Sequence, residues 1–111
     1  MEEGAENIAA HYKHLLRSMF ARHPHSQYII LVEDDMLFSQ DFLTFFAQLA
    51  IVMDKDPSVW CISTWNDNGI ASHAHDPRVL YRTDFFVGLG WLMPRRLWDE
   101  VKDRYLCHKL K

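Results

Sequence analysis

The sequence predicts an α/β domain in which helices flank a mainly parallel sheet, and three observations predict it. Apolar residues recur at helical spacing at Ile8, Tyr12, Leu15, Leu16, Met19 and Phe20, and again from Phe42 through Met53. Between these stretches, residues 28–32 form a short β-branched and aromatic run without alternation, the pattern of a strand buried on both faces. The resulting order, helix–strand–helix–strand, is that of helices layered on a sheet.

Each element has its own signals. The first helix carries Lys13, Arg17 and Arg22 opposite its apolar stripe and ends near His23-Pro24, where proline stops it. The strand at 28–32 stops abruptly at three carboxylates. A second helix spans 41–53, with Ser39 as its expected cap. Asp56-Pro57-Ser58 introduces a second short strand over 59–64. Trp65-Asn66-Asp67-Asn68-Gly69 is turn chemistry, because Asn and Gly tolerate positive φ. A polar loop runs to Pro77, a further strand is expected at 79–82, a glycine-broken apolar segment at 85–93, and a last helix at 95–105. No repeat, low-complexity tract or linker divides the chain, so one domain over 1–111 is expected.

The totals exclude several classes. The chain has 111 residues, 49% of them apolar and 14% aromatic, enough for a packed core and against disorder. A net charge of −3 and a pI near 6.1 give no electrostatic footprint for nucleic acid. No run approaches the roughly 20 apolar residues of a membrane helix, and residues 1–6 lack the basic start of a signal sequence. The histidines, including His11/His14, His23/His25 and His73/His75, have no zinc-site spacing. Arg95-Arg96 reads as a solvated basic pair or as a contact for an anionic ligand.

The chemistry concentrates at Glu33-Asp34-Asp35. Like charges this close raise one another's pKa, and a strand end adjoins low-dielectric surroundings. A divalent cation relieves the conflict, since Mg²⁺ or Mn²⁺ takes oxygen ligands and bridges one or two carboxylates to phosphates. Ligands of open α/β sheets bind beyond the carboxyl ends of strands, where this cluster falls. A solvated acidic turn is the alternative. Trp65, beside Asn66, Asp67 and Asn68, offers an apolar face with hydrogen-bonding edges; a buried Trp closing a turn is the competing reading. Gly88 and Gly90 permit close backbone approach next to the platform of Trp91, or else mark a strand bulge.

Together, His11-Tyr12, Val32-Glu33-Asp34-Asp35, Asp56-Pro57-Ser58, Trp60-Cys61, Trp65-Asn66-Asp67-Asn68-Gly69, Tyr81-Arg82-Thr83-Asp84-Phe85-Phe86 and Gly88-Leu89-Gly90-Trp91 resemble glycosyltransferase family 13, the N-acetylglucosaminyltransferase I family. They stand in family order and cover roughly residues 8–98. The protein O-mannose N-acetylglucosaminyltransferases are laid out similarly, but Asp34, Asn68 and Thr83-Asp84-Phe85-Phe86 look more like the first family. The resemblance implies a GT-A type fold, UDP-GlcNAc as donor, Mn²⁺ as cofactor, and inverting β-1,2 transfer of GlcNAc to a mannose-terminated N-glycan acceptor at the lumenal face of the Golgi membrane. It maps the metal ligand onto Asp35, places Glu33 and Asp34 on the sugar and ribose side, and gives His11 a contact with the uridine. Trp65, Asp67, Arg82, Asp84, Leu89 and Trp91 become pocket-lining or pocket-shaping positions.

The resemblance also has departures. Val87 stands where the family carries proline. The family's general base, which an inverting transfer needs, lies in a segment downstream of the last helix, so none of Asp99, Glu100 or Asp103 takes that role. Cys61 matches a family cysteine whose disulfide partner falls beyond Lys111, while Cys107 has no counterpart and a Cys61–Cys107 bond is the remaining local option. The first nucleotide-binding strands and the membrane anchor have no counterpart here either. The expectation is therefore a partial catalytic domain that holds donor without turning acceptor over. A non-catalytic metal- or nucleotide-binding remnant and a purely structural α/β domain are the competing classes.

Overall fold

The computed structural model describes residues 2–104. Its elements are α1 (Glu2–Arg22), β1 (Tyr28–Leu31), α2 (Phe42–Lys55), β2 (Ile62–Ser63), β3 (Trp91–Pro94) and α3 (Arg95–Val101). The expected mixture of helix and strand is present, but the sheet differs from the mainly parallel one expected. Its order is β1-β3-β2, and β2 runs antiparallel to β3, with Ile62 opposite Leu92 and Ser63 opposite Trp91. The chain between β2 and β3 doubles back through loops instead of crossing over through a helix, and such a return makes an antiparallel pair.

The doubly buried strand is β3, not β1. All four β3 residues are buried, whereas β1 is half-buried except at Leu31, and Val32 already lies outside the strand with half its surface exposed. The central place of β3 explains this, since a central strand has neighbours on both sides and β1 is an edge. By contacts the chain forms two compact units, one of residues up to Ile29 together with those from Pro94 onward, the other Ile30–Met93.

In the first unit α1 buries only part of its apolar stripe, and Ile8, Leu15 and Met19 are exposed. Leu16 and Phe20 are buried, His23 N donates to Met19 O at 3.0 Å, and Pro24 follows with no amide hydrogen to continue the ladder. Trp98 of α3 stacks on Phe20 with ring centroids 6.2 Å apart and planes at 17°. Arg95 is neither solvated nor turned toward an anion. Its guanidinium lies over the Phe20 ring at 4.6 Å and donates to the backbone carbonyls of Phe20 (3.3 Å), His23 (2.6 Å) and Ser26 (2.8 Å); Phe20 O has no helical amide because Pro24 stands four residues on, and His23 O also accepts from Ser26 N at 3.1 Å. Its own amide donates to Gln27 O at 2.7 Å. Helix α3 ends at Val101, short of the expected 105; Tyr105 lies outside the described residues.

Arg95→Ala removes the fork, taking its donors from the Phe20 and Ser26 carbonyls and leaving His23 O with the Ser26 amide alone. Hydrogen bonds to charged groups contribute about 1.5–3 kcal/mol each, discounted here for partial exposure and overlap, so a loss of roughly 2–3 kcal/mol is expected in urea denaturation. Arg95→Lys restores only part of it, because an ammonium cannot span three carbonyls and stack at once.

In the second unit α2 buries Phe46 and Met53 and exposes Leu43 and Ile51 on its other side. Phe38, Phe42, Phe46 and Phe45 form a run of ring contacts with centroids 4.6, 5.0 and 5.6 Å apart. The cap differs from expectation. Asp41 occupies the N-cap without a side-chain bond to the helix, and the Ser39 hydroxyl donates to the Asp41 carboxylate at 2.6 Å instead of accepting an amide. The expected strand at 59–64 contracts to Ile62–Ser63, since β3 offers a ladder only from Trp91 onward; Thr64 N adds one further bond to Gly90 O at 3.0 Å. Residues 79–82 are not a strand. Val79 N closes a turn onto Asp76 O at 3.2 Å, and Arg82 is held by side chains, so extended sequence preference there finds no ladder.

Candidate functional site

The acidic cluster follows β1 as a turn. Met36 N donates to Glu33 O at 3.4 Å, and Glu33 N points back at the Met36 sulfur at 3.4 Å. Glu33, Asp34 and Asp35 are all exposed. The low-dielectric cost expected of a strand end is therefore eased by water, and the three carboxylates remain accessible to a cation. Among the described residues no three His, Cys, Asp or Glu side chains converge on one point. Carboxylate oxygens are the donor class that a hard divalent ion takes.

Gly90 joins this turn to the next loop. It has φ +59°, the one positive-φ glycine among the described residues, and a Cβ placed on it would meet Thr64 Oγ1 at 2.7 Å, Met36 Cε at 3.0 Å and Phe42 Cε2 at 3.4 Å. Thr64 Oγ1 donates to Gly90 O at 2.8 Å. The residue that closes the acidic turn and the residue that precedes Trp65 therefore pack against one glycine.

Beyond Thr64 opens a cleft of about 1320 Å³ within the second unit, lined by Trp60, Trp65, Asp67, Arg82, Asp84 and Phe86 among others. Four of the expected pocket positions, Trp65, Asp67, Arg82 and Asp84, lie on its wall. Leu89 and Trp91 do not. Leu89 is half-buried and its carbonyl accepts from Thr64 Oγ1 at 3.3 Å. Trp91 is in the core, edge-on to Phe86 with centroids 4.9 Å apart, so it shapes the cleft from beneath and is no exposed platform. Trp65 is half exposed, and its indole nitrogen donates to Asp67 Oδ1 at 2.8 Å. Its turn is built without positive φ: Gly69 N donates to Asn66 O and Asn68 N to Asn66 Oδ1, both at 2.9 Å.

Arg82 is fixed by a clasp that spacing alone did not reveal. Its guanidinium donates to Asp56 Oδ2 at 3.0 Å and to Ser58 Oγ at 2.7 Å, while Ser58 N and Oγ donate to Asp56 Oδ1. These bonds, first those from the Ser58 hydroxyl and then those from Arg82, hold the Asp56 carboxyl at about 2. A carboxyl depressed in the fold contributes stability that is present above its ordinary value near 3.8 and is lost as pH falls through about 2. The clasp is therefore closed at every physiological pH. In a carbon-detected titration Asp56 is expected to show a midpoint near 2, and Arg82→Ala to raise it without reaching the ordinary value, because Ser58 stays.

Asp76 and Arg78 form an exposed bidentate pair at 3.1 Å, and Tyr81 Oη donates to His73 O at 3.3 Å, bracing the same wall. Cys61 is free and half-buried, and burial pushes its thiol pKa up. Cys107 lies outside the described residues. His11 is exposed on α1 and belongs to the first unit. Among the described residues no helix is long and apolar enough to cross a membrane.

The sequence model of the GNT-I family matches residues 3–107, nearly the whole chain. The chain belongs to the GNT-I family. The match takes in the acidic turn, the clasp and every residue of the cleft wall. A relative from Arabidopsis thaliana, an alpha-1,3-mannosyl-glycoprotein 2-beta-N-acetylglucosaminyltransferase, is 47% identical over 98 residues. Those residues are 88% of this chain and 22% of the relative, so the chain spans about a fifth of the length of this relative.

Proposed function

We propose that the chain is the donor-holding part of a Mn²⁺-dependent N-acetylglucosaminyltransferase of GT-A type, which takes UDP-GlcNAc and transfers GlcNAc with inversion, in β-1,2 linkage, to a mannose of an N-glycan in the Golgi lumen. The observation that carries this reading is the exposed Glu33-Asp34-Asp35 turn at the carboxyl end of β1, in a chain of the GNT-I family. The name of the Arabidopsis relative supports the transferred sugar, the mannosyl acceptor and the linkage.

Asp35 would hold the metal through a carboxylate oxygen, with Glu33 and Asp34 facing the sugar and ribose. Mn²⁺ bound there would supply Lewis-acid neutralisation of the charge that gathers on the departing diphosphate. His11 would contact the uridine. Gly90 keeps the turn and the Thr64 rim in register, and the Arg82 clasp holds the cleft wall rigid, so that little ordering remains to be done when substrate arrives. A general base for the acceptor hydroxyl is assigned to none of Asp99, Glu100 and Asp103.

Equilibrium dialysis of labelled UDP-GlcNAc tests the reading. Retention that appears with Mn²⁺ and disappears on its removal supports it. No retention at millimolar donor, with or without metal, contradicts it.

A further inference from the structure

We infer that the cleft of the second unit is an acceptor-sugar subsite, in which the Trp65 indole is the stacking platform for a neutral pyranose. The inference rests on the transferase reading for the identity of the sugar, and on the cleft itself for the site. Trp65 exposes 52% of its surface, an expensive state for an indole unless something covers it. The ring is also fixed. Asp67 Oδ1 holds its N–H at 2.8 Å, and Asp67 sits in a turn closed by Asn66. A large apolar face held still by its polar edge meets the apolar face of a pyranose with little entropy to lose. Asp67 Oδ2, and Asn68 and Asp84 elsewhere on the wall of the same cleft, are of the hydrogen-bonding class that sugar hydroxyls require.

The charges of the cleft decide between the two substrates. Arg82 is neutralised by Asp56, and Asp76 by Arg78. Among the described residues the wall then presents Asp67 and Asp84 as carboxylates with no Lys or Arg paired to them. Such a wall repels a nucleoside diphosphate and accepts a neutral polyol. The donor belongs at the acidic turn, where a cation intervenes, and the cleft takes the uncharged glycan. Met36 of the acidic turn and Thr64, which precedes Trp65, both lie against Gly90, so the two places adjoin one residue.

The test follows the Trp65 indole N–H resonance of the full chain while a mannose-terminated core oligosaccharide is added, first alone and then with UDP and Mn²⁺ present. The resonance is expected to move saturably in at least one condition. Trp65→Ala should weaken the oligosaccharide about tenfold or more, while Trp65→Phe, which keeps a ring, should retain most of the affinity. Circular dichroism and Mn²⁺-dependent UDP-GlcNAc binding should be the same in both variants as in the parent. A resonance unmoved in both conditions, or a Trp65→Ala chain that binds the oligosaccharide as well as the parent, overturns the platform. Loss of UDP-GlcNAc binding in the parent, with the Trp65 response intact, would overturn the donor reading and leave the platform standing.

Discussion

Gly90→Ala is expected to destabilise the second unit by roughly 2–4 kcal/mol and to weaken donor binding with it. Two costs add. At φ +59° an L side chain occupies a left-handed backbone that costs about 1–3 kcal/mol when nothing compensates it. The added methyl would also sit 2.7 Å from Thr64 Oγ1 and 3.0 Å from Met36 Cε. Met36 has a flexible end and can withdraw. Thr64 cannot do so cheaply, because its hydroxyl and amide both bond to Gly90 O. Relief of the clash therefore breaks the last rung beside the β2–β3 pair and moves the residue in front of Trp65. Urea denaturation reads the first effect and donor titration the second. Gly69→Ala is the control: its methyl would meet Asn66 O at 2.9 Å at an ordinary φ, far from the acidic turn in sequence, so stability falls while metal-dependent donor binding holds.

Much of this arrangement is legible in the sequence. The helical stripes around Leu16, Phe20, Phe46 and Met53 predict α1 and α2, and those four residues are buried. The abrupt change from Leu31 to the carboxylates marks the end of β1. What escapes is non-local. Trp91-Leu92-Met93 carries no alternation and reads only as apolar, yet its central place in the sheet makes it the most buried strand. Residues 59–64 and 79–82 look like strands because β-branched residues favour extended backbone, but the ladder available decides how much pairing forms.

Arg95 shows the same limit. Its charge suggests solvent or an anion, and only the fold reveals three carbonyls within its reach. Arg82 likewise finds Asp56 and Ser58 from 26 and 24 positions away, a partnership that no local spacing encodes. One signal for it was present, since an Asp-Pro-Ser turn presents a carboxylate and a hydroxyl together, a ready acceptor pair for a guanidinium.

The second large effect concerns Asp35. Glu33, Asp34 and Asp35 are exposed, so replacing one of them removes charge and coordination without opening a cavity. Among the described residues no three His, Cys, Asp or Glu side chains converge there, and Glu33 and Asp34 are the only other carboxylates of the turn. Loss of the carboxylate proposed to hold the metal is expected to cost two orders of magnitude or more in donor affinity, about 2.7 kcal/mol or more. The fold should be intact. Asp34→Ala, which leaves the proposed metal ligand in place, should cost less.

The most direct test is one calorimetric comparison, with UDP-GlcNAc titrated into the parent chain and into Asp35→Ala at saturating Mn²⁺. The parent is expected to bind with a heat that vanishes when the metal is chelated, and Asp35→Ala to give none at the same donor concentrations. Equal binding by both chains, or parent binding that survives removal of Mn²⁺, would contradict the assignment of the acidic turn as the metal–donor site.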